Sequence, residues 1–142
     1  MKLSPLMNEK LMLRLIQEEG VRLKPYRCSK GKLTIGVGRN LDDKGLSKEE
    51  ALFLLQNDIK EAVDVCKKEF SFFKNLNQTR QIILIDMCFN LGINRLKTFK
   101  KMIKAIENKD FSLAAEEMRS SLWARQVGKR AEQLAVLMKE GA

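Results

Sequence analysis

Residues 17–40, QEEGVRLKPYRCSKGKLTIGVGRN, decide how the rest of the chain is read. A helical pattern stops at Gly20. Two short extended runs follow, residues 22–26 and 33–37, joined by the polar turn Ser29-Lys30-Gly31-Lys32. Gly31, Gly36 and Gly38 mark places where the backbone needs positive φ or a close approach. Glu19 therefore stands at the mouth of a helix, and a small hairpin bends back in front of it. The hairpin brings Cys28 and Thr34 to the same neighbourhood. A carboxylate, a thiol and a hydroxyl gathered in this way have the layout of a catalytic cleft.

Working outward, Ser4-Pro5 is a helix start, a capping hydroxyl followed by proline at the first helical position. Leu11, Leu13, Leu15 and Ile16 supply the apolar side of that helix. On the other side of the hairpin, LDDKG at 41–45 is a turn, and Ser47 with Glu50 fits a capping box. Leu52, Leu55, Ile59, Ala62, Val63 and Cys66 continue at helical spacing to about residue 70. Phe72, Phe73 and Leu76 form an apolar connection. Asn77 caps a helix whose centre, IILIDMCFNLG, is apolar almost all round and belongs in a core. Gly92 stops it. Thr98 is expected to cap a helix over 99–107, Asp110 or Phe111 to open one to about 122, and residues 129–139 to form the last. The order is helix, hairpin, then only helices, an α+β fold that is predominantly α.

The bulk properties narrow the chemistry. A chain of 142 residues makes one domain, or one domain with a small lobe. It carries 27 Lys+Arg against 18 Asp+Glu, net +9, which calls for an anionic partner: nucleic acid, a membrane surface or a bacterial wall. There is no histidine, which excludes Ser-His-Asp and Cys-His hydrolysis and argues against zinc. Neither a metal nor a cofactor is expected. Cys28, Cys66 and Cys88 are an odd number without CxxC spacing and read as reduced thiols, the last two on apolar helix faces. The N-terminal apolar runs are too short and interrupted for a signal peptide or a membrane anchor. Stable membrane insertion is therefore not expected.

Three residues could carry chemistry. Glu19 lies in the last turn of a helix, where the negative end of the dipole opposes a second negative charge, so it is the leading general acid; the plainer reading is a solvated helix-end glutamate beside Glu18. Cys28 reads as a base, a nucleophile or a half-buried thiol, and Arg27, Lys30 and Lys32 beside it favour the thiolate. Thr34 either positions a water or is simply a β-branched strand residue.

The string E-G-x-R-L-x-x-Y-x-C-x-x-G-x-x-T-I-G-x-G, from Glu19 to Gly38, resembles the signature of the phage-type lysozymes (endolysins), glycoside hydrolase family 24. That family is marked by a Glu, eight residues, an Asp or Cys, five residues and a Thr. Glu19, Cys28 and Thr34 stand at those intervals. SKEEALFLLQNDI is similar to the family's interlobe helix, TRQIILIDMCFNLG to its buried central helix and SLWARQVGKRAEQLAVL to its closing helices, so nearly the whole chain is covered in order. The resemblance implies a single lysozyme-like domain over 1–142. A small hairpin lobe would take about 20–45, the connecting helix about 48–70, and a helical lobe about 71–142 plus the N-terminal helix.

The implied activity is hydrolysis of the β-1,4 bond between N-acetylmuramic acid and N-acetylglucosamine in peptidoglycan. Glu19 would protonate the glycosidic oxygen, and Cys28 with Thr34 would hold or activate water on the far face of the sugar. An inverting arrangement needs about 6.5–9.5 Å between the acid and the base. Arg130 matches a family arginine that faces the catalytic glutamate; its plainer reading is a surface cation. Asn90 sits where the family presents an amide toward the sugar, although a helix-end role near Gly92 fits as well. Arg39 replaces the histidine often seen after G-x-G and takes no catalytic role. The implied partner is the peptidoglycan glycan strand, met by a monomer made in the cytoplasm of the host bacterium, without a signal peptide and released through a holin-like pore.

A lytic transglycosylase using Glu19 alone is the rival within the enzyme class. From other classes come a basic helical nucleic-acid-binding module and an inactive wall-binding relative. The basic residues are scattered along the chain with no clustered stripe, which disfavours nucleic acid.

Overall fold

A computed structural model describes residues 1–142. Helix α1 (Pro5–Glu19) leads into a three-stranded antiparallel sheet, β1 (Arg22–Arg27), β2 (Leu33–Gly36) and β3 (Arg39–Asn40), in the order β1-β2-β3. Seven helices follow: α2 (Lys48–Glu69), α3 (Gln78–Leu91), α4 (Ile93–Leu96), α5 (Lys100–Glu107), α6 (Phe111–Arg119), α7 (Leu122–Val127) and α8 (Lys129–Glu140). The expected α+β class, mostly helical with a small sheet, is what the chain adopts. It forms two compact units, Met1–Phe53 and Leu54–Ala142, with the division inside α2.

In the first unit, local rules written in the sequence place each element. The Ser4 hydroxyl accepts from the Met7 N–H at 3.2 Å with Pro5 in the first turn, and Gly20 closes α1 at φ 74°. β1 and β2 pair with Tyr26 opposite Thr34 and Arg27 opposite Leu33. A third strand, not anticipated from the sequence, arises because Gly38 at φ 67° turns the chain back. Arg39 then pairs with Ile35, and Asn40 with Thr34. Ser47 and Glu50 form the expected capping box: the Glu50 N–H donates to the Ser47 hydroxyl (3.1 Å) and the Ser47 N–H to Glu50 Oε1 (2.8 Å). Thr34 is the only buried residue of Met1–Phe53. The expected apolar side of α1 is exposed throughout, Leu11, Leu13, Leu15 and Ile16 included. This unit is held by ladders, caps and charged hydrogen bonds, since it is too short to build a core of its own.

The core lies in the second unit. Ile83, Leu84 and Met87 of α3, Met102 and Ile106 of α5, Met118 of α6, Trp123 of α7 and Met138 of α8 are almost fully buried. α3 is not enclosed all round: Ile82 and Phe89 are exposed, so it offers one face to the core and another to solvent. Asn77 caps α3 through the Arg80 N–H at 3.0 Å. Arg80 reaches back to the last carbonyls of α8, donating to Met138 O (2.8 Å) and Lys139 O (3.1 Å), and lies 3.5 Å from the Phe111 ring centre. The Cys66 and Cys88 thiols are free and buried as expected, and burial pushes the Cys66 pKa up to about 12.

Two boundaries differ from the expectation. The Thr98 hydroxyl donates to Arg95 O (2.6 Å) rather than capping, so α5 starts at Lys100 behind Phe99 with no side-chain cap. The segment expected to run as one helix to about 122 breaks at Ser120-Ser121. Ser121 caps the separate helix α7 through the Ala124 N–H at 3.1 Å.

Candidate active site

Glu19 is the last residue of α1, and the chain returns to it through Gly38. A β-carbon built on Gly38 would stand 3.0 Å from Glu19 Oε2, so any larger residue here would press on the carboxylate as well as strain the backbone. The same glycine needs its positive φ to start β3. One residue thus turns the sheet and lies against the carboxylate.

Cys28 follows β1. Its N–H donates to Lys32 O at 2.9 Å and its carbonyl accepts from the Gly31 N–H at 2.8 Å, which closes the 28–32 turn. The Thr34 hydroxyl donates to the same Lys32 carbonyl at 2.9 Å. One carbonyl therefore ties the cysteine backbone to the threonine side chain. Hydrogen bonding from the Lys32 and Lys30 backbone amides, and less from the Thr34 hydroxyl, holds the Cys28 pKa below the usual thiol value, against an opposing effect of desolvation. Thr34 has a single hydroxyl proton. While that proton stays on Lys32 O, the oxygen can accept from water; turned away, it donates to the thiolate.

Glu19, Cys28 and Thr34 all lie in Met1–Phe53. Arg39, the substitute for a family histidine, donates through Nη1 to Glu50 Oε1 (2.9 Å) and Gly45 O (3.1 Å) and through Nη2 to Glu50 Oε2. It anchors β3 to the start of α2.

The other two residues carried over from the resemblance lie in Leu54–Ala142. Asn90 Oδ1 accepts from the buried Trp123 Nε1 at 2.7 Å, leaving the Asn90 amide N–H groups as its free face. Trp123 also packs edge-on to Phe99, ring centres 6.3 Å apart. Arg130 donates through Nε (3.1 Å) and Nη2 to Asp86 Oδ1. Sequence reasoning passed over Asp86. A lone carboxylate in the apolar run IILIDMCF was a signal, because a charge on such a helix needs a partner, but that partner lies 44 residues away.

The sequence profile of the family described as "Phage lysozyme" matches residues 16–139, a span that includes Glu19, Cys28, Thr34, Asn90 and Arg130. The chain is 28% identical over 153 residues to "Probable T4-type lysozyme 1" of Dictyostelium discoideum, covering 87% of this chain and 90% of the relative. It is 28% identical over 127 residues to "Endolysin" of Acyrthosiphon pisum secondary endosymbiont phage 1, with 87% and 84% covered. It is also similar to "Pre-baseplate central spike protein Gp5" of Enterobacteria phage T4, 28% identical over 97% of this chain but only 28% of that protein. With the family pattern running from the end of α1 into the last turns of α8, the chain belongs to the phage lysozyme family.

Proposed function

We propose that this protein hydrolyses the β-1,4 bond between N-acetylmuramic acid and N-acetylglucosamine in peptidoglycan. Family membership supports lysozyme-type hydrolysis of the bacterial cell wall. The observation that carries the residue assignment is the grouping in one unit of a carboxylate beside Gly38 and a cysteine tied to Thr34 through Lys32 O. Glu19 donates its proton to the glycosidic oxygen as the bond to the anomeric carbon breaks. Cys28, as thiolate, takes a proton from a water oriented by Thr34, and that water's oxygen bonds the anomeric carbon on the opposite face. The free Asn90 amide is suited to a sugar carbonyl or hydroxyl, and Arg130, held by Asp86, to binding or orienting the substrate. No helix is long and apolar enough to cross a membrane. The proposed route to the wall is release of the monomer through a holin-like pore.

The test is turbidity clearing of permeabilised Gram-negative cells by the wild type, Glu19→Gln and Cys28→Ser, with mass spectrometry of the fragments. Loss of clearing by a factor of at least about 10² in Glu19→Gln, with reducing ends from the wild type, is the expected result. Anhydro-muramic ends would move the mechanism to transglycosylation and remove the base role of Cys28. The pH profile gives a second arm. With a thiolate as base, activity falls as pH drops through the Cys28 pKa, so Cys28→Asp should keep its activity further into acid. Superimposable profiles between pH 5 and 8 would sink the base assignment.

A further inference from the structure

The loop after β3 holds the turn that carries Cys28. Leu33 follows that turn, and its backbone is used on both sides. Its carbonyl accepts from the Leu41 N–H at 2.7 Å, and its N–H donates to Asp42 Oδ2 at 2.7 Å. The chain leaves the β2–β3 ladder after Leu41, so the Asp42 carboxylate stands in for the next backbone acceptor. Arg27, opposite Leu33 in the ladder, donates through Nη1 to Gly31 O (3.2 Å) and approaches Asp42 Oδ2 at 3.5 Å. The neighbouring Asp43 accepts from Lys32 Nζ (3.1 Å) and from Asn40 Nδ2 (3.0 Å). Both carboxylates of the LDDKG turn therefore grip residues of the 27–33 segment.

We propose that Asp42 is a positioning residue for Cys28. Through the Leu33 N–H and Arg27 it fixes the turn in which the Cys28 N–H donates to Lys32 O and the Gly31 N–H donates to Cys28 O. The catalytic consequence rests on the reading of Cys28 as base; the holding role does not. The charged groups around Cys28 are Arg27, Lys30 and Lys32 on its own hairpin and Asp42 and Asp43 on the loop. Arg39 of β3 is turned to Glu50.

Two effects of removing Asp42 have opposite signs, which makes the inference testable. Deleting a nearby negative charge alone eases ionisation of the thiol and lowers its midpoint. Releasing the turn withdraws the amide donors and raises it. Iodoacetamide alkylation of Cys28, followed by peptide mass mapping across pH, reads the thiolate directly and separates it from the buried Cys66 and Cys88. Asp42→Ala should raise the alkylation midpoint by about half a pH unit, a roughly threefold slower reaction near neutrality. Asp42→Asn keeps an oxygen for the Leu33 N–H and should show no rise. An unchanged or lowered midpoint in Asp42→Ala overturns the proposal.

Should Asp42→Ala fail to fold, the wild-type Leu33 amide proton resonance decides. Held by Asp42, that proton should be protected from hydrogen exchange with solvent, and an amide that exchanges as a free one overturns the proposal. If the alkylation midpoint rises while the acid limb of clearing stays where it was, Asp42 keeps its positioning role and Cys28 loses its role as base.

Discussion

At the residue scale, small side chains and single protons decide the site. Gly38 is the clearest case, since it meets two demands at once: a φ of 67° and a carboxylate 3.0 Å from where a β-carbon would stand. Gly38→Ala should cost about 1–2 kcal/mol of backbone strain. It should also displace Glu19, lowering clearing by about tenfold or more through misplacement of the acid. Urea unfolding and kcat on a soluble glycan separate the two effects, and unchanged kcat in a folded variant would show that Glu19 does not need this seat. The turn and ladder that join Cys28 to Thr34 were readable because they are short and local. Asp86 was not, because its meaning depends on Arg130 on another helix.

At the element scale, the junction between β3 and α2 is fixed by one carboxylate. Glu50 caps its own helix through Ser47 and accepts both arms of Arg39. The Arg39 guanidinium, with the Ser47 N–H and hydroxyl behind it, holds the Glu50 pKa down to about 2. A carboxylate depressed on folding contributes stability that is fully present above its unfolded value of about 4.3. That contribution is lost as pH falls toward 2. The urea midpoint of the wild type should therefore drop over that window more than that of Glu50→Gln, and parallel curves would show that the bridge contributes nothing. Ser47→Ala, which removes only the cap, should cost about 1 kcal/mol. The capping box and the Asn77 cap were legible as local motifs. The third strand and the break before α7 were not. A two-residue strand has no periodicity, and Ser120-Ser121 reads equally well as helix surface until Ser121 is seen capping Ala124.

At the scale of the whole molecule, two quantities dominate: a net charge of +9 and a core confined to Leu54–Ala142. The charge should speed encounter with an anionic wall. The rate of clearing should fall as ionic strength rises from about 0.01 to 0.1 M, where the screening length shrinks from roughly 30 to 10 Å. Turnover of a small neutral glycan should change little over the same range. An equal fall in both would place the salt effect on the chemistry rather than on the encounter.

The sequence by itself determined the class of fold, the caps and glycines that bound α1, α2 and α3, and the spacing of Glu19, Cys28 and Thr34. Each depends on backbone preferences or on neighbours a few residues apart, and these operate before the chain collapses. Only the tertiary structure decided that Arg39 belongs to Glu50, Arg130 to Asp86 and Asn90 to Trp123, and that Asp42 closes the Leu33 amide. Those pairings form because a buried or half-buried polar group must find a partner, and the partner it finds is the one the folded backbone brings within 3 Å or so.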